Sequence, residues 1–306
     1  MRDAFQRLSW RQLRLIQAIA ADGQISVAAD RLAMTQPGAS RMLSEVEKIV
    51  GEPLFDRHPK GVTPTGIGAV LTRHAGALLS GLDDAASEVE AFRAGRAGRA
   101  RAGAVTGAAL AYLVPAIRAL RQETSAAEIG LEVAPSTDLM AGLLNGEFDF
   151  VLSRLPPGTD ARQFDILGSR EEEVEILARP GHPLAGRRGL RLEDLGALTW
   201  VMQAPGMPVR EAVVAAHLAR GLRPPPEVVD TASVLATLAY LLETDAVSPA
   251  AREVAGLLGG TTGSLVRLDL RDVVSLSPYH LIRLRSRPVS PLAERLMALV
   301  QARLGA

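Results

Sequence analysis

GQISVAADRLAMTQPGASRMLSEVEKIVGEPLFDRHPKGVTPTG, residues 23–66, is the stretch whose reading decides the fold. Ala28, Ala29 and Leu32 fall at helical spacing and mark a short helix over 27–32. A second helix opens at Thr35-Gln36-Pro37. Thr35 is a good N-cap, and a proline in the first turn lacks an amide hydrogen that would be orphaned there anyway. Met42, Leu43, Val46, Ile49 and Val50 then recur every three or four residues and face inward, which leaves Gln36, Ser40, Arg41, Glu45, Glu47 and Lys48 outside. Gly51 ends the helix. Residues 54–57 and 61–63 can pair as short strands across His58-Pro59-Lys60. Upstream, Trp10, Leu13, Leu15, Ile16, Ile19 and Ala20 mark an amphipathic helix that closes a small core. The sum is a helix-turn-helix with a two-stranded wing. In such a unit the N-terminal end of the second helix lies in the DNA major groove. Here that end carries Gln36, Ser40 and Arg41 on one face.

Residues 10–66 resemble the winged helix-turn-helix of the LysR-type transcriptional regulators. The resemblance rests on Gly23, Ser26, Ala28-Ala29, Leu32, Thr35-Gln36-Pro37, Ser40, Glu47, Gly51, Leu54-Phe55, Arg57, Val62, Thr65 and Gly66. Each is weak alone; together, in register, they are specific. Gly38 departs from the pattern, where alanine is usual, and loosens the first turn by roughly 0.5–1 kcal/mol. The resemblance implies that Gln36, Pro37, Ser40 and Arg41 reach base edges and that Thr35, Arg57 and Lys60 hold phosphates. For His58, in the wing, a phosphate contact and an ordinary exposed turn histidine both stay open.

The composition is compatible with this. The chain has 306 residues, 47% of them apolar and 22% charged, enough for two or three domains. Its 34 basic and 34 acidic residues cancel, so a local basic patch is expected rather than a strongly basic domain. With no cysteine there are no disulfides, thiolate chemistry or zinc fingers, which fits a reducing cytoplasm. Arg11 and Arg14 interrupt the first apolar run, so no signal peptide is read, and 234–242 is too short to span a bilayer. The expected location is cytoplasmic.

Thr65 can cap a helix running to about residue 94 without an internal proline. Leu71, Ala75, Leu78, Leu82, Ala85, Val89 and Phe92 are spaced as a heptad seam. A helix packed on its own domain and a dimer coiled coil both fit; the family resemblance favours the dimer. Residues 95–104, rich in Gly and Arg, read as a flexible hinge, with a minor-groove arm as the alternative.

From residue 105 strands alternate with helices, the pattern of parallel βαβ units. Strands are read at 104–106, 129–134, 148–152 and 172–178, and helices at 110–122 and 139–144. The expected architecture is α/β overall: a winged helix-turn-helix (1–65), a linker helix (66–94), a hinge (95–104) and a two-lobed effector domain (105–306) of periplasmic-binding-protein-like form. Lobe I covers about 105–178 and 265–306, and lobe II about 179–264, with 172–178 and 265–268 crossing between them. The resemblance continues, more weakly, through 145–150, 179–185 and 245–249. Ligands in such folds bind at strand carboxyl ends between the lobes. Thr106-Gly107, Ser136-Thr137, and Thr231 with Ser233 each follow a strand and open a helix. Their hydroxyls can cap those helices or meet a ligand. Arg154 can pair with a ligand carboxylate or form a structural salt bridge, and Gln203 with Met207 is a candidate lining pair.

No catalytic constellation is present. His58, His74, His182, His217 and His280 are scattered without metal-ligand spacing, residues 259–263 are a plain turn, and no Gly-x-Ser-x-Gly elbow occurs. His182 falls in a family lobe-boundary motif and reads as structural. No cofactor or metal is expected. The expected partners are double-stranded promoter DNA, a small-molecule effector (an organic acid or a sugar), RNA polymerase and further copies of the chain as a homodimer or dimer of dimers. A ligand-trapping module without DNA function is the competing reading, which the helix-turn-helix opposes.

Overall fold

The structure, a computed structural model, describes residues 5, 7–93, 98–124, 127–261 and 263–305. Its N-terminal unit is built from α1 (Trp10–Asp22), α2 (Ile25–Arg31) and α3 (Gln36–Val50). Ser9 and Gln12 close a capping box on α1, and Gly23 ends that helix at φ 65°. Leu15, Ile16 and Ile19, Ala28 and Ala29, Ala39, Leu43 and Val46, and Leu54 and Phe55 form one core. Trp10 does not join it. It is the first residue of α1, a turn short of that core, and remains exposed.

The wing pairs β1 (Phe55–His58) with β2 (Gly61–Pro64), with His58 opposite Gly61, so His58 ends a strand and the turn is Pro59-Lys60. The Val62 amide donates to the Gly23 carbonyl at 2.8 Å and ties the wing to the α1–α2 turn. Glu47, read as an outward residue, is half-buried instead. Its Oε1 accepts from the Leu54 amide at 2.9 Å, a donor that the entry into the wing would otherwise orphan.

Helix α4 (Gly66–Arg93) starts under Thr65, whose Oγ1 accepts from Gly68 N at 3.0 Å and donates to Pro53 O at 2.9 Å. The heptad seam splits. Leu71 and Ala75 are buried with Leu79 against the chain's own N-terminal unit, a correction to reading all seven as one intermolecular seam. Leu78, Leu82 and Val89 are 60%, 55% and 52% exposed, and Ile67 and Val70 add to the free apolar surface. The Phe92 side chain lies outside the described residues.

Part of the expected hinge is sheet. β3 (Arg99–Ala104) lies between β4 (Glu128–Val133), an edge strand, and β5 (Phe150–Ser153), parallel to both. The stretch misled because alternating Arg and small residues carry no apolar signal, yet Ala100, Ala102 and Ala104 are fully buried. Small residues are what two covering helices leave room for. Those helices are α6 (Ser136–Asn145) and α5, which runs through Thr106–Ala108, a π-helical stretch Ala109–Leu113 and Val114–Glu123. The final helix α10 (Pro291–Leu304) completes the first lobe's core with Leu296 and Val300.

Two long antiparallel strands, β6 (Phe164–Ala178) and β11 (Val274–Leu284), run through both lobes from Leu284↔Phe164 to Val274↔Val174. The expected crossover at 265–268 is therefore displaced. β10 (Val266–Leu268) pairs with the far end of β6, and Leu268, Val274 and Leu276 belong to the second lobe's core. A bulge between Leu276 and Tyr279 marks where β11 passes between lobes. The second lobe contains parallel β7 (Trp200–Met202) and β8 (Val228–Asp230), with α7 (Pro208–Leu218) and α8 (Val234–Glu243). β9 (Ser248–Ala251) pairs with β6, and Val247 just before it bridges to Trp200.

The junction of wing and linker helix is sterically closed. A Cβ at Gly68 would stand 1.8 Å from the Leu54 carbonyl oxygen, whereas one at Gly66 meets nothing within 4 Å. Gly68→Ala is expected to lower stability by about 1–3 kcal/mol. Gly66→Ala should leave the melting temperature nearly unchanged, and parallel thermal unfolding of the two variants checks this.

Candidate functional site

The first site is the free end of α3. Thr35 caps it, accepting from the Gly38 amide at 3.3 Å, and a Cβ at residue 38 would sit only 3.1 Å from that hydroxyl. Glycine therefore suits this capped turn. Gln36, Pro37 and Arg41 are exposed and Ser40 is half-buried beside buried Ala39. Arg41 Nε donates to the Pro37 carbonyl at 3.3 Å, which lays the guanidinium along the first turn. In the wing, Arg57, His58 and Lys60 are exposed, and His58 Nδ1 accepts from the Lys60 amide at 3.3 Å. Arg57 and Lys60 form no ion pair among the described residues.

The second site lies where the lobes meet. Because β3, β4 and β5 are parallel and in register, Thr106, Ser136 and Arg154 come off the same edge of the sheet. Ser136 does not cap α6. Pro135 holds that position, and Ser136 Oγ accepts from the Arg154 amide at 3.2 Å. Thr137 turns outward to Asp138, and Thr106 is exposed. Arg154 forms the structural alternative: it is buried, donates to Ser277 O at 2.9 Å and pairs with Glu172 on β6. Burial raises the Glu172 pKa, and neighbouring Glu253 raises it further; Arg154 opposes both without overcoming them.

Gly107 shows how close the lobes come. A Cβ there would stand 2.2 Å from Glu172 Oε1, 3.2 Å from Glu253 Oε2 and 3.3 Å from the Ala251 methyl. Any larger residue there would have to displace the Glu172 carboxylate, which Arg154 holds. Tyr279 of β11 is fully buried there, its ring 6.2 Å from Tyr112 in the π-helical stretch, and burial raises its pKa. The Tyr279 hydroxyl meets that of Tyr112, whereas Glu253 Oε2 has no hydrogen-bond partner among the described residues. Sequence reasoning missed Glu172, Glu253 and Tyr279. They come from distant segments, and the one local signal was Gly107.

On the second lobe, Gln203 follows β7 with its Oε1 buried and unpartnered, and Arg210 donates to Gln203 O at 3.2 Å while pairing with Asp230. Thr231 and Ser233 serve the turn into α8: Thr231 Oγ1 accepts from Ser233 N, and Ser233 Oγ from Ala236 N. Met207 is the residue before α7. Capping is what these hydroxyls do here.

A third cluster fastens α4 to the first lobe. Asp84 pairs with Arg101 of β3 at 2.7 Å and with Arg287 beyond β11. Ser80 Oγ donates to the Gly146 carbonyl and accepts from Arg287 Nη2 at 3.0 Å. Asp149 braces the same strand, accepting from the Arg101 amide at 2.7 Å; burial raises its pKa.

The profile of the bacterial regulatory helix-turn-helix proteins of the lysR family matches residues 10–69, and that of the LysR substrate binding domain matches residues 93–305. The chain belongs to the LysR family. It is a LysR-type transcriptional regulator, with a DNA-binding helix-turn-helix and a small-molecule-responsive effector domain, and this family is not enzymatic. The HTH-type transcriptional regulator GbpR of Azospirillum brasilense is 35% identical over 297 residues, covering 97% of this chain and 86% of that protein. GbpR of Rhizobium radiobacter is 37% identical over 250 residues, 81% of this chain and 83% of that one. The solved structure of full-length CbnR with its target DNA has the same fold: TM-score 0.63, 22% identity, 97% of this chain and all (100%) of that chain. No helix among the described residues is long and apolar enough to cross a membrane.

In this LysR-type regulator Arg154 and Glu172 stand or fall together. Arg154→Met would leave a buried carboxylate unpaired, a loss of about 3–5 kcal/mol. Folded Glu172 ionises above its unfolded value, so the folded state holds the extra proton between the two. Without Arg154 the folded-state value rises further still, so the penalty should grow as pH rises from the folded value of the native pair to the higher one of the variant, and reach its full size above that. Denaturant titrations across the pH range test this; an unchanged midpoint at neutral pH would contradict it.

Proposed function

We propose that this regulator binds a dyad-related promoter site in the cytoplasm as a homodimer or dimer of dimers. Gln36, Pro37, Ser40 and Arg41 read base edges, and Thr35, Arg57, His58 and Lys60 hold phosphates. One observation carries the reading: α3 begins as a capped, exposed end that presents Gln36 and Arg41 to solvent. A glutamine there suits a bidentate adenine contact, and an arginine suits guanine or a phosphate. The wing supplies Arg57 and Lys60, which form no ion pair among the described residues and so keep their charge for phosphates.

The exposed apolar surface of α4 supports the oligomer. Leu78, Leu82 and Val89 face solvent in one chain, and pairing two helices covers them. The effector acts between the lobes, where β6 and β11 allow one lobe to move on the other. The Asp84 cluster carries that motion to α4, altering the spacing of paired DNA-binding units and their approach to RNA polymerase.

Gln36→Ala is expected to weaken the cognate operator by about 1–3 kcal/mol and random DNA by much less. Fluorescence anisotropy on both DNAs decides it; equal losses would make Gln36 a positioning residue. Leu78→Asp combined with Leu82→Asp would bury unpaired charge in the seam. Sedimentation should then show a monomer that no longer shifts operator DNA, with circular dichroism still reporting folded effector lobes. An intact dimer would remove the seam.

A further inference from the structure

A hollow lies between the DNA-binding unit and the first lobe, distinct from the space between the lobes. We infer that it is a second small-molecule site, that it takes a zwitterion carrying one ammonium group and one carboxylate, and that this ligand bridges the two units.

Three elements meet beside the hollow. α4 has no side chain at Gly76, where a Cβ would stand 3.2 Å from the Asn145 carbonyl oxygen, at the end of α6, and 3.4 Å from Gln17 Nε2 of α1. The sensor and the DNA-binding unit therefore touch the same bare turn of the linker helix. Next to that contact a cavity of about 470 Å³ opens, lined by Arg14 and Gln17 of α1, Arg31 of α2, Thr72 of α4, and Asn145 and Glu147 of the first lobe. Its volume is in the usual range for small-ligand sites. α1 offers it Ala18 and Ala21, side chains too small to fill it. An adjoining hollow of about 320 Å³ shares Arg14 and Arg31 and continues to Trp10, Leu32 and Met34, which gives an apolar side chain a wall to lie on.

Charge decides the class of ligand. Arg14 forms no ion pair among the described residues, and neither does Glu147. They line one cavity from opposite units, a cation and an anion that do not neutralise each other. Arg31 is already matched by Asp22 at 3.3 Å. α6 ends at Asn145, and a helix C-terminus adds to the attraction for a cation on the side of Glu147. A simple acid would satisfy Arg14 and be repelled by Glu147; a simple amine would do the reverse. A neutral sugar would leave both charges uncompensated. A molecule with both groups gives each wall a charge-assisted hydrogen bond.

The sensor's wall is held in place. Gly146, between Asn145 and Glu147, sits at φ 78°, and a Cβ there would stand 2.7 Å from Arg287 Nη1. Its carbonyl accepts from Ser80 of α4 and from Arg101 Nη2, the latter at 3.2 Å. The turn that carries Glu147 is thus pinned to the linker helix. A ligand held by Glu147 on one side and Arg14 on the other ties the DNA-binding unit to the sensor.

The test titrates the full-length protein by calorimetry and thermal shift with glycine, leucine, phenylalanine and γ-aminobutyrate. In parallel it uses their one-charge analogues: acetate, 4-methylpentanoate, 3-phenylpropanoate and butyrate as acids, and methylamine, 3-methylbutylamine, phenethylamine and propylamine as amines. At least one zwitterion should bind, and its acid and amine analogues should each bind at least tenfold more weakly. Arg14→Gln, on the DNA-binding unit, and Glu147→Gln, on the sensor, should each weaken that binding about tenfold or more. Both side chains are exposed, so the ligand-free melting temperature of each variant should stay at the unsubstituted value, which separates lost binding from lost folding. Silence across the four zwitterions would overturn the proposal, as would equal binding of a one-charge analogue. Zwitterion binding that survives either substitution would place the ligand elsewhere and overturn the bridge.

Discussion

Asp84 is the residue on which the two halves of the molecule depend for a fixed relation. It lies on α4, eighteen residues past the helix start, and receives Arg101 from β3 and Arg287 from the segment after β11. Arg287 is nearly buried, and its second nitrogen contacts the Phe148 carbonyl, so the pair is not a loose surface bridge. Surface pairs contribute little, but a carboxylate between two arginines with a serine beneath it forms a network in which each bond orients the next. The chain path from α4 to β3 is short and rich in glycine and arginine. The contacts of Asp84 hold the linker helix against the sensor.

The sequence announced the N-terminal unit because its constraints are local. A cap, a first-turn proline, a terminal glycine and a helical repeat all act within a few residues, and α3 runs from Gln36 to Val50 under its Thr35 cap. Where the reading failed, a distant partner decided. Glu47 looked like a surface acid and serves the wing's first amide. Leu71 and Ala75 looked like part of an intermolecular seam and pack on α1 and the core it closes. Alanine and arginine in β3 gave no strand signal, because the strand's burial comes from helices on both faces rather than from its own bulk.

The sensor shows the same division more sharply. Strand–helix alternation fixed its class, and parallel register then brought Thr106, Ser136 and Arg154 to one edge, as their positions after strands implied. Their roles were not legible. Ser136 could have capped its helix, but proline held that place and the serine turned to Arg154. Arg154 could have awaited a ligand carboxylate, but Glu172 lies across the sheet on a strand whose register only the fold establishes.

That exchange of roles explains why a cleft lined by an arginine and several hydroxyls need not recognise an acid. A guanidinium attracts anions only while its own charge is uncompensated. Here burial of the pair makes Arg154 and Glu172 a single neutral unit whose separation would expose two charges to a low-dielectric interior. The start of α5 adjoins that unit, because Gly107 brings its backbone against Glu172 and Glu253 with no side chain between them. Arg154 and Ser136 thereby hold the end of β5 to the start of α6, and β6 to both.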